Sequence, residues 1–424
     1  MRILYIIATY LVLPIVFIHM LFKSFNDVTY LQRIGERFGY YKGEKPQNIL
    51  WVHAVSYGEV KAAIPLINKL RINFPQKRVL ITTTTPSGSR LVKELFGNKV
   101  DHVYLPYDTK GSVIRFFKYF NPEIAIIIET ELWPNIFHYC GVYKVPLVLA
   151  SACVSDRSIS LYRVLFKLFQ KTVSEGIVIG AQTQEDAEKF ISLGSDTHKI
   201  KVTGNIKFDI EIPSESVEEA KELKESYFQD RTIWVAGSTH EGEEEVVLEA
   251  HRLVLKDNPN ALLVIAPRNP DRFTAVKKII KHKKFNFHSW SEGLNNLDNK
   301  EILLLDSLGQ LNLFYSIANA SFVGGSLFSV GGHNLLEPAS LKTPIITGPC
   351  INNIKDISQK LKQNNALVIV KGSLELAKSI NQITQNKEKS DKMILGGLKV
   401  IEENKGSTEK IFELIKPLID RNLF

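Results

Sequence analysis

The chain has 424 residues, of which 44% are hydrophobic and 23% charged, and its formal net charge is +8. This length exceeds one ordinary hydrophobic core and fits two domains, while the globular composition excludes wholesale disorder. No run of Lys and Arg with interleaved aromatic residues accompanies the positive charge, which argues against a nucleic-acid partner. Cys140, Cys153 and Cys350 lack a CxxC spacing and argue against a disulfide framework or a zinc site.

The first predicted element is an apolar helix at residues 3–22, where no side chain carries a formal charge if His19 is neutral. A helix needs about 20 residues to cross the hydrocarbon core of a bilayer, so we expect a retained membrane anchor over residues 1–22. Pro14 and His19 weaken the span, and a helix lying in one leaflet is the alternative. A cleavable signal peptide fits less well, because no small-x-small site follows the apolar stretch.

Residues 23–48 are expected to form a basic connector. Only Arg2 and the amino terminus precede the apolar stretch, whereas several cations follow it. These cations are Lys23, Arg33, Arg37, Lys42 and Lys45. By the positive-inside rule this asymmetry places the body of the protein in the cytoplasm, and the positive charge would attract an anionic bilayer surface.

Short apolar runs then alternate with amphipathic stretches, which is typical of parallel strands buried on both faces between helices. The first set of runs comprises Ile49–Val55, Arg78–Thr85, 100–106, Glu123–Glu129, 145–151 and 176–182. After a charged, helix-like segment at 215–225, the second set comprises Thr232–Ser238, Ala261–Arg268, Glu301–Ser307, 320–326, 344–348 and 366–370.

Two such sets predict an α/β chain with two Rossmann-like domains facing each other, at residues 49–210 and 211–424. The last helix of the second domain has the alternative of packing back on the first. Ligands of such sheets lie at the carboxyl ends of the strands. Candidate functional residues are therefore sought in the loops that follow strands.

In the first predicted domain, Glu59 lies two residues into a helix start after the opening strand. There a carboxylate suits a general base; the alternative is an ordinary helix-start Glu, whose pKa the helix dipole lowers. Glu129 and Glu131 end a strongly apolar strand, where a charge is costly unless it is paired. Arg157 and Lys207 are the candidate partners. Two carboxylates without an Asp-x-Asp motif make only a weak metal site.

Features suited to phosphate are concentrated in the second predicted domain. Arg268 directly follows a strand, and its guanidinium fork suits phosphate. Residues 307–311 follow the next strand and open a helix. Residues 323–340 contain four glycines ahead of a helix expected near Asn334, and backbone N–H groups in such loops bind anions. Glu337 suits the hydroxyl groups of a ribose better than a catalytic acid role.

His240 lies in the string Ser-Thr-His-Glu after another predicted strand. Helix capping by Ser238, Thr239 and Glu241 explains this string without a catalytic or ligand-binding role. A role for His240 as a ligand is the alternative.

Together these strings resemble the Kdo transferase family, whose members move 3-deoxy-D-manno-oct-2-ulosonic acid (Kdo) from CMP-Kdo to lipid A precursor. The similar strings run in order over nearly the whole chain. They are QRIGERFGYY, HAVSYGE, TTTTPSGS, YLPYD, ETELWPN, TGNIKFD, STHEGEE, PRNPDRF and FVGGSLFSVGGHNLLEPA. The resemblance implies a GT-B fold, in which two Rossmann-like domains face an interdomain cleft behind an N-terminal membrane-anchor helix. It places the acceptor on the first domain and CMP-Kdo mostly on the second.

The resemblance also implies residue roles. Glu59 matches the general base, and Glu129 and Lys207 match a pair that stabilises the transition state. The matched CMP-Kdo-binding positions are Pro267, Arg268, Leu308, Gly309, Gln310, Asn334, Leu335, Leu336 and Glu337. Some positions depart from the family pattern, so donor and acceptor contacts are expected to differ in detail. These positions are Asn269 for His, Asp271 for Glu, Gln310 for an acidic residue, Leu335 for Pro, Cys153 for Arg and Cys350 for His.

The implied function is inverting transfer of Kdo from CMP-Kdo to lipid IVA, with release of CMP, in lipopolysaccharide biosynthesis at the inner membrane. No metal cofactor is expected, because CMP is a monophosphate leaving group. The expected partners are CMP-Kdo, the lipid A precursor and anionic lipid, without nucleic acid.

The nearest alternative is another GT-B transferase that uses a UDP-sugar on a membrane lipid. A dehydrogenase is disfavoured because no GxGxxG follows the first strand of either domain. A membrane scaffold without catalysis would not require acidic, basic and phosphate-binding residues at strand ends.

Overall fold

The structure is a computed structural model, and it describes residues 2–25, 28–155, 158–164, 177–210, 214–229, 231–294, 297 and 299–420. The chain forms two compact units. Unit 1 comprises Met1–Asp209 with Asn404–Phe424, and unit 2 comprises Ile210–Glu403. The boundary between the units lies one residue from the position expected from the sequence. The last helix belongs to unit 1, which agrees with the alternative that it packs back on the first domain.

Unit 1 is built around one parallel sheet. Its elements are α1 (Arg2–Ser24), α2 (Ile34–Arg37), β1 (Ile49–His53), α3 (Tyr57–Asn73), β2 (Arg78–Thr83), α4 (Pro86–Phe96), β3 (Asp101–Tyr104), α5 (Lys110–Phe120), β4 (Ile124–Ile128), α6 (Pro134–Val142), β5 (Leu147–Ala152), β6 (Ile177–Ala181), α7 (Gln184–Ser192) and β7 (Ile200–Val202). Residues 159–164 are also helical. The sheet order is β3-β2-β1-β4-β5-β6-β7, with every pair parallel.

Helices cover both faces of this sheet. Trp51 points into a core on one face with Phe116, and its neighbour Val52 points into a core on the other face with Ile415. Because successive strand residues point to opposite faces, a strand covered on both sides must be apolar throughout. This requirement explains why the central strands stand out in the sequence as continuous apolar runs.

Unit 2 has a second parallel sheet of the same size. Its elements are α8 (Ser214–Tyr227), β8 (Ile233–Thr239), α9 (Glu243–Asp257), β9 (Leu262–Pro267), α10 (Phe273–His282), β10 (Phe287–Ser289), β11 (Ile302–Leu304), α11 (Leu311–Ile317), β12 (Ala320–Val323), α12 (Leu336–Ser340), β13 (Ile345–Thr347), α13 (Lys355–Gln363), β14 (Leu367–Ile369), α14 (Ser373–Gln385) and α15 (Lys387–Asn404). The sheet order is β10-β11-β9-β8-β12-β13-β14. The prediction of two Rossmann-like α/β units is therefore confirmed.

Sequence analysis missed two of the four edge strands, β7 and β10. Each has three residues and a single neighbouring strand. An edge strand is less completely covered than a central one, so it needs no continuous apolar run. The segment expected to be a polar connector, α8, instead packs Ala220 and Leu223 into a core of unit 2.

The last helix, α16 (Ser407–Asp420), completes unit 1. It buries Ile411, Phe412 and Ile415 in the core beneath β1 and β4. The carboxylate of Asp209 accepts hydrogen bonds from the N–H groups of Gly406 and Thr408 at the start of this helix. These bonds satisfy donors that the first turn of a helix leaves unpaired.

In the connector after α1, some of the basic side chains make contacts within the fold. Arg37 is only 5% exposed, donates a hydrogen bond to the carbonyl of Thr84 and lies 4.1 Å over the ring of Tyr104. Arg33 donates to Glu36 and to the carbonyl of His102. Two of the cations counted as flanking charges are thus part of the fold. The connector is basic, and at these two positions its side chains pack into unit 1.

Candidate active site

Glu59 lies near the carboxyl end of β1, in the first turn of α3. The N–H of Val55 donates to its Oε2 at 2.6 Å, and the hydroxyl of Ser56 donates to its Oε1 at 3.3 Å. Burial first, and then the negative charge of Glu129, raise the pKa of Glu59 to about 7, against lowering contributions from the Val55 N–H and Lys207. The pKa of Glu59 is thus raised, whereas an ordinary helix-start Glu would have a lowered one, and its role as a general base stays a prediction.

Glu129 follows β4, the strand next to β1, and forms an ion pair with Lys207 in which Nζ lies 2.5 Å from Oε1. Burial lowers the pKa of Lys207, but the charge and hydrogen bond of Glu129 outweigh burial and the net pKa is raised. Lys207 therefore stays a cation beside this carboxylate. Of the two candidate partners, Lys207 forms the pair, and Arg157 lies outside the described residues.

The backbone conformation on either side brings Glu129 and Lys207 together. Glu129 has a φ of +61°, and Ser151 at the end of the next strand has a φ of +60°, a conformation that is uncommon for non-glycine residues and recurs at functional sites. The hydroxyl of Ser151 accepts from the N–H of Ile206, and Asn205 caps the N–H of Lys207. The loop after β7 is thereby held over β5, within reach of Glu129.

Two further side chains border this cluster. Burial and the charge of Glu129 raise the pKa of Glu131. Burial, together with Glu129, raises the pKa of Cys153 to about 12, so its thiol stays protonated where the family pattern has an arginine. Within the described ranges, no three His, Cys, Asp or Glu residues are grouped so as to hold a metal ion.

In unit 2 the strand ends of β11, β9, β8 and β12 lie side by side. They carry in turn the loop at 307–311, Arg268, His240 and the glycine-rich loop. His240 and His333 stack with their Nε2 atoms 2.7 Å apart. Burial, and then the positive charge of Arg268, lower the pKa of His333 to about 4. The two imidazoles are thus neutral, and one donates to the other. Sequence analysis missed His333 because its partner lies 93 residues away.

The glycine-rich loop does not offer its first N–H groups to a ligand. The carboxylate of Glu243 is fully buried and accepts from the N–H groups of Gly325, Ser326 and Leu327 at 2.7–2.9 Å. It also accepts from the N–H of His240 at 2.9 Å. The expectation that backbone N–H groups of this loop bind an anionic ligand is wrong for Gly325, Ser326 and Leu327, because the carboxylate of Glu243 already accepts from them.

The remaining predicted donor-binding residues differ in accessibility. Leu308 is 55% exposed, and Gly309 has a φ of +89°, which favours glycine. Leu335 and Leu336 are fully buried, so their side chains face the core. The side chains in this stretch that remain partly accessible include those of Gln310, Asn334 and Glu337. The predicted helix near Asn334 is only five residues long and begins at Leu336.

Comparison of the sequence with known proteins shows the family of this chain. Residues 32–210 match the family model described as 3-deoxy-D-manno-octulosonic-acid transferase (kdotransferase), and residues 220–399 match that of glycosyl transferases group 1. A 3-deoxy-D-manno-octulosonic acid transferase of Haemophilus influenzae is 36% identical over 413 residues, which cover 97% of each chain. The chain belongs to the Kdo transferase family.

Other comparisons agree with this membership. A Kdo transferase of Rickettsia typhi is 31% identical over 379 residues, covering 88% of this chain and 80% of that one. A solved UDP-GlcNAc 2-epimerase from Neisseria meningitidis, bound to UDP-GlcNAc, covers 87% of this chain and 99% of its own, with a TM-score of 0.59 and 16% identity. That likeness shows the fold alone, which is of the GT-B type. As a Kdo transferase family member, the chain is a glycosyltransferase.

Proposed function

We propose that this chain transfers Kdo from CMP-Kdo to the lipid A precursor lipid IVA and releases CMP, with inversion at the anomeric carbon. Family membership supports the transferred sugar. The observation that carries the mechanism is the raised pKa of Glu59, about 7, beside the Glu129–Lys207 pair. A carboxylate with such a pKa is ionised in a large fraction near neutral pH and is a stronger base than an exposed Glu.

In the proposed reaction, ionised Glu59 removes the proton from an acceptor hydroxyl. The oxygen of that hydroxyl forms a bond to the anomeric carbon of Kdo, on the face opposite the nucleotide. The bond between the anomeric carbon and the phosphate oxygen breaks, and its electron pair leaves with CMP. Glu129 and Lys207 are proposed to stabilise charge in this transition state, because they are already oriented by their own ion pair.

The donor is proposed to bind at the strand ends of unit 2. Arg268, Gln310, Asn334 and Glu337 are the partly accessible side chains that suit a phosphate and a ribose. The neutral His240–His333 pair adds hydrogen-bonding groups without charge. The backbone of residues 308–309 is available beside them. The four predicted contacts at Pro267, Leu335, Leu336 and Leu308 would involve backbone or apolar surface.

The reaction is proposed to need no divalent metal. CMP leaves with a single phosphate, whose charge Arg268 can offset. The Glu129 carboxylate is already neutralised by Lys207. The reaction is further proposed to occur at the cytoplasmic face of the inner membrane, because α1 is a long apolar helix suited to a bilayer, the cations that follow it favour the cytoplasmic side, and the acceptor is a lipid.

Product analysis tests the proposal. The full chain, purified in detergent, is incubated with CMP-Kdo and lipid IVA in the presence of EDTA, and the lipid products are identified by mass spectrometry. We expect lipid IVA carrying Kdo, and far less product from the Glu59→Gln protein, which retains size and shape at that position. Absence of Kdo transfer by the unaltered chain, or turnover only after magnesium is added, would contradict the reaction or its metal-free form.

Nucleotide preference provides a second test. Thermal-shift titration with CMP and UMP should show stabilisation by CMP at lower concentration. A preference for UMP would instead favour a transferase that uses a UDP-sugar.

A further inference from the structure

The helix α1 contacts unit 1 along one side and over its whole length. The residues of that side share reduced exposure, and they are Arg2, Tyr5, Ile6, Thr9, Leu13, Val16, Met20 and Ser24. Spacings of mainly three and four residues place them on one face of the helix. Arg2 and Met20 are about 27 Å apart at a rise of about 1.5 Å per residue. Both ends of α1 therefore lie against the same α/β unit.

The first half of α1 is joined to unit 1 by hydrogen bonds. The hydroxyl of Tyr5 donates to Oδ2 of Asp108 at 2.7 Å. The N–H of Gly111, at the start of α5, donates to the hydroxyl of Tyr10 at 3.0 Å. A side chain at position 111 would lie 3.0 Å from that hydroxyl, so glycine permits the close approach. These polar contacts are specific to this docked position of the helix.

Contacts at the two ends complete the docking. The guanidinium of Arg2 lies 5.7 Å from the ring centre of Tyr139 on α6. Near the other end, Met20 is 5% exposed, and the hydroxyl of Tyr107 lies 3.6 Å from its sulfur. Adjacent residues of unit 1, Tyr107 and Asp108, thus reach opposite halves of α1. The helix lies across unit 1 and does not project from it.

The rest of the circumference of α1 is apolar and exposed. Ile3, Leu4, Leu11, Ile15 and Phe22 are each 66–74% exposed. Among the exposed residues from 3 to 22, the polar side chains are those of Tyr10 and His19. Such a surface lacks the polar rim of a protein interface. A continuous apolar surface with cations at its margins fits the acyl and headgroup layers of an anionic bilayer.

We propose that α1 is an in-plane membrane anchor: its docked side stays on unit 1, and its apolar side lies in one leaflet of an anionic bilayer. A transmembrane span would carry Arg2 across a hydrocarbon core of about 30 Å, away from Tyr139, and would separate Tyr5 from Asp108. The expectation of a spanning helix then gives way to its alternative. This inference does not depend on which sugar is transferred.

The docking connects the anchor to the catalytic strand ends. Asp108 is buried, and its carboxylate also accepts from the N–H groups of Asn135 and Ile136 at 3.0 and 2.9 Å. These groups open α6, the helix that follows the loop carrying Glu129. The anchor therefore holds this loop beside the lipid surface. Its use in capturing a lipid acceptor rests on the proposed function.

A labelling experiment distinguishes the two arrangements. Cys153 and Cys350 are replaced by alanine, and the buried Cys140 is kept. The full chain then carries two reporter cysteines, one in a short extension ahead of Met1 and the other as Leu395→Cys on α15. It is reconstituted into vesicles of phosphatidylethanolamine and phosphatidylglycerol and treated with a membrane-impermeant maleimide. Mass spectrometry counts the labels on each molecule, and the chain without reporters is the control.

An in-plane helix places both reporters on the same side, so each molecule carries either two labels or none, whatever the orientation of the population. A spanning helix places them on opposite sides, so each molecule carries one label. A population dominated by single labels would overturn the proposal. This readout does not involve activity, so its failure is distinguishable from failure of the proposed reaction.

Spin labels at Leu4, Leu11 and Phe22 provide a depth measurement. An in-plane helix gives similar depths at all three positions, whereas a span gives a deep label at position 11 and shallow labels at the ends. Tyr5→Phe, which removes only the hydroxyl, should raise the mobility of the label at position 4, and the matched control Tyr227→Phe in unit 2 should not. Unchanged mobility in Tyr5→Phe would contradict the docked geometry.

Discussion

Three charged side chains interact at the strand ends of unit 1, and their properties depend on one another. Glu59 has a raised pKa because it is buried and because Glu129 is close. Lys207 limits this rise and neutralises Glu129. A helix-start carboxylate is a common feature of sequences, and its ordinary expectation is a lowered pKa. The tertiary neighbours reverse that expectation.

Glu59→Gln should abolish most turnover. Removal of a general base lowers kcat by about 10²–10⁴-fold, while the similar shape should preserve folding and CMP affinity. In the unaltered protein, kcat/KM should rise with pH through about 7, because Glu59 must be ionised to act as a base. Steady-state kinetics between pH 5 and 9 measure both. Retention of turnover in Glu59→Gln would exclude Glu59 as the base.

The same group should make stability depend on pH. Between its ordinary pKa of 4.5 and its folded pKa of about 7, the folded state keeps a proton that the unfolded state has released. The contribution of Glu59 to stability therefore falls as pH rises through this range and is lowest above pH 7. Glu59→Gln should raise Tm by about 3 °C at pH 8 and leave it unchanged at pH 4. Equal shifts at both pH values would contradict the raised pKa.

Lys207 and Glu129 should act as one unit. We expect Lys207→Met and Glu129→Gln each to lower kcat by about 10²–10³-fold, as for loss of an electrostatic stabiliser. The double variant should be little worse than either single variant, because each change removes the same pair. A double-mutant cycle on kcat measures the coupling. Additive losses would show that the two residues act separately.

At the scale of elements, the glycine-rich loop differs most from what its sequence predicts. Four glycines before a helix are typical of phosphate-binding loops, yet the buried carboxylate of Glu243 accepts the first N–H groups. The loop is therefore held in shape by a residue of α9, at the start of that helix. Its partly exposed later residues, including His333 and Asn334, remain available to a donor.

Glu243→Gln should destabilise unit 2. The amide keeps one acceptor oxygen but places N–H donors against backbone N–H donors, and the cost should be about 2–4 kcal/mol. Urea denaturation measures this loss. Glu249→Gln, on the exposed side of the same helix, is the matched control and should change stability by less than about 0.5 kcal/mol. A selective loss of donor affinity with unchanged stability would instead indicate that Glu243 serves ligand binding.

At the scale of the whole molecule, unit 1 is formed by two segments of the chain that are separated by unit 2. Helix α16 comes after all of unit 2, yet its residues fill a core of unit 1. Asp209, at the last position of the first segment of unit 1, caps α16. Unit 1 is therefore complete only when α16, which follows unit 2 in the sequence, has packed onto it.

Ile415→Ala should weaken unit 1 and not unit 2. Truncation of a fully buried isoleucine costs about 2–5 kcal/mol, and Ile415 is fully buried in a core of unit 1. Ile383→Ala, buried in unit 2, is the matched control with the opposite expectation. Hydrogen exchange of peptides from each unit measures the free energy of local opening. Equal loss of protection in both units from either change would contradict their independence.

The sequence by itself determined the two parallel α/β units, because strands covered on both faces must be continuously apolar and lie between helices. It also indicated Glu59, Glu129, Lys207 and Arg268, since functional residues of such sheets follow strands. The edge strands β7 and β10 escaped detection, because they are only three residues long and most of their side chains are not buried, so that they form no apolar run.

Only the tertiary structure decided which charges meet and how they shift the pKa values of one another. The pKa of Glu59, the pair formed by Lys207, the His240–His333 contact and the occupation of the glycine-rich loop by Glu243 all depend on residues distant in sequence. The same holds for α1, whose apolar composition predicts a span and leaves an in-plane helix as the alternative. The contacts of Tyr5 and Arg2 with unit 1 distinguish the two, because hydrogen bonds and ring contacts depend on position, whereas hydrophobicity depends only on composition.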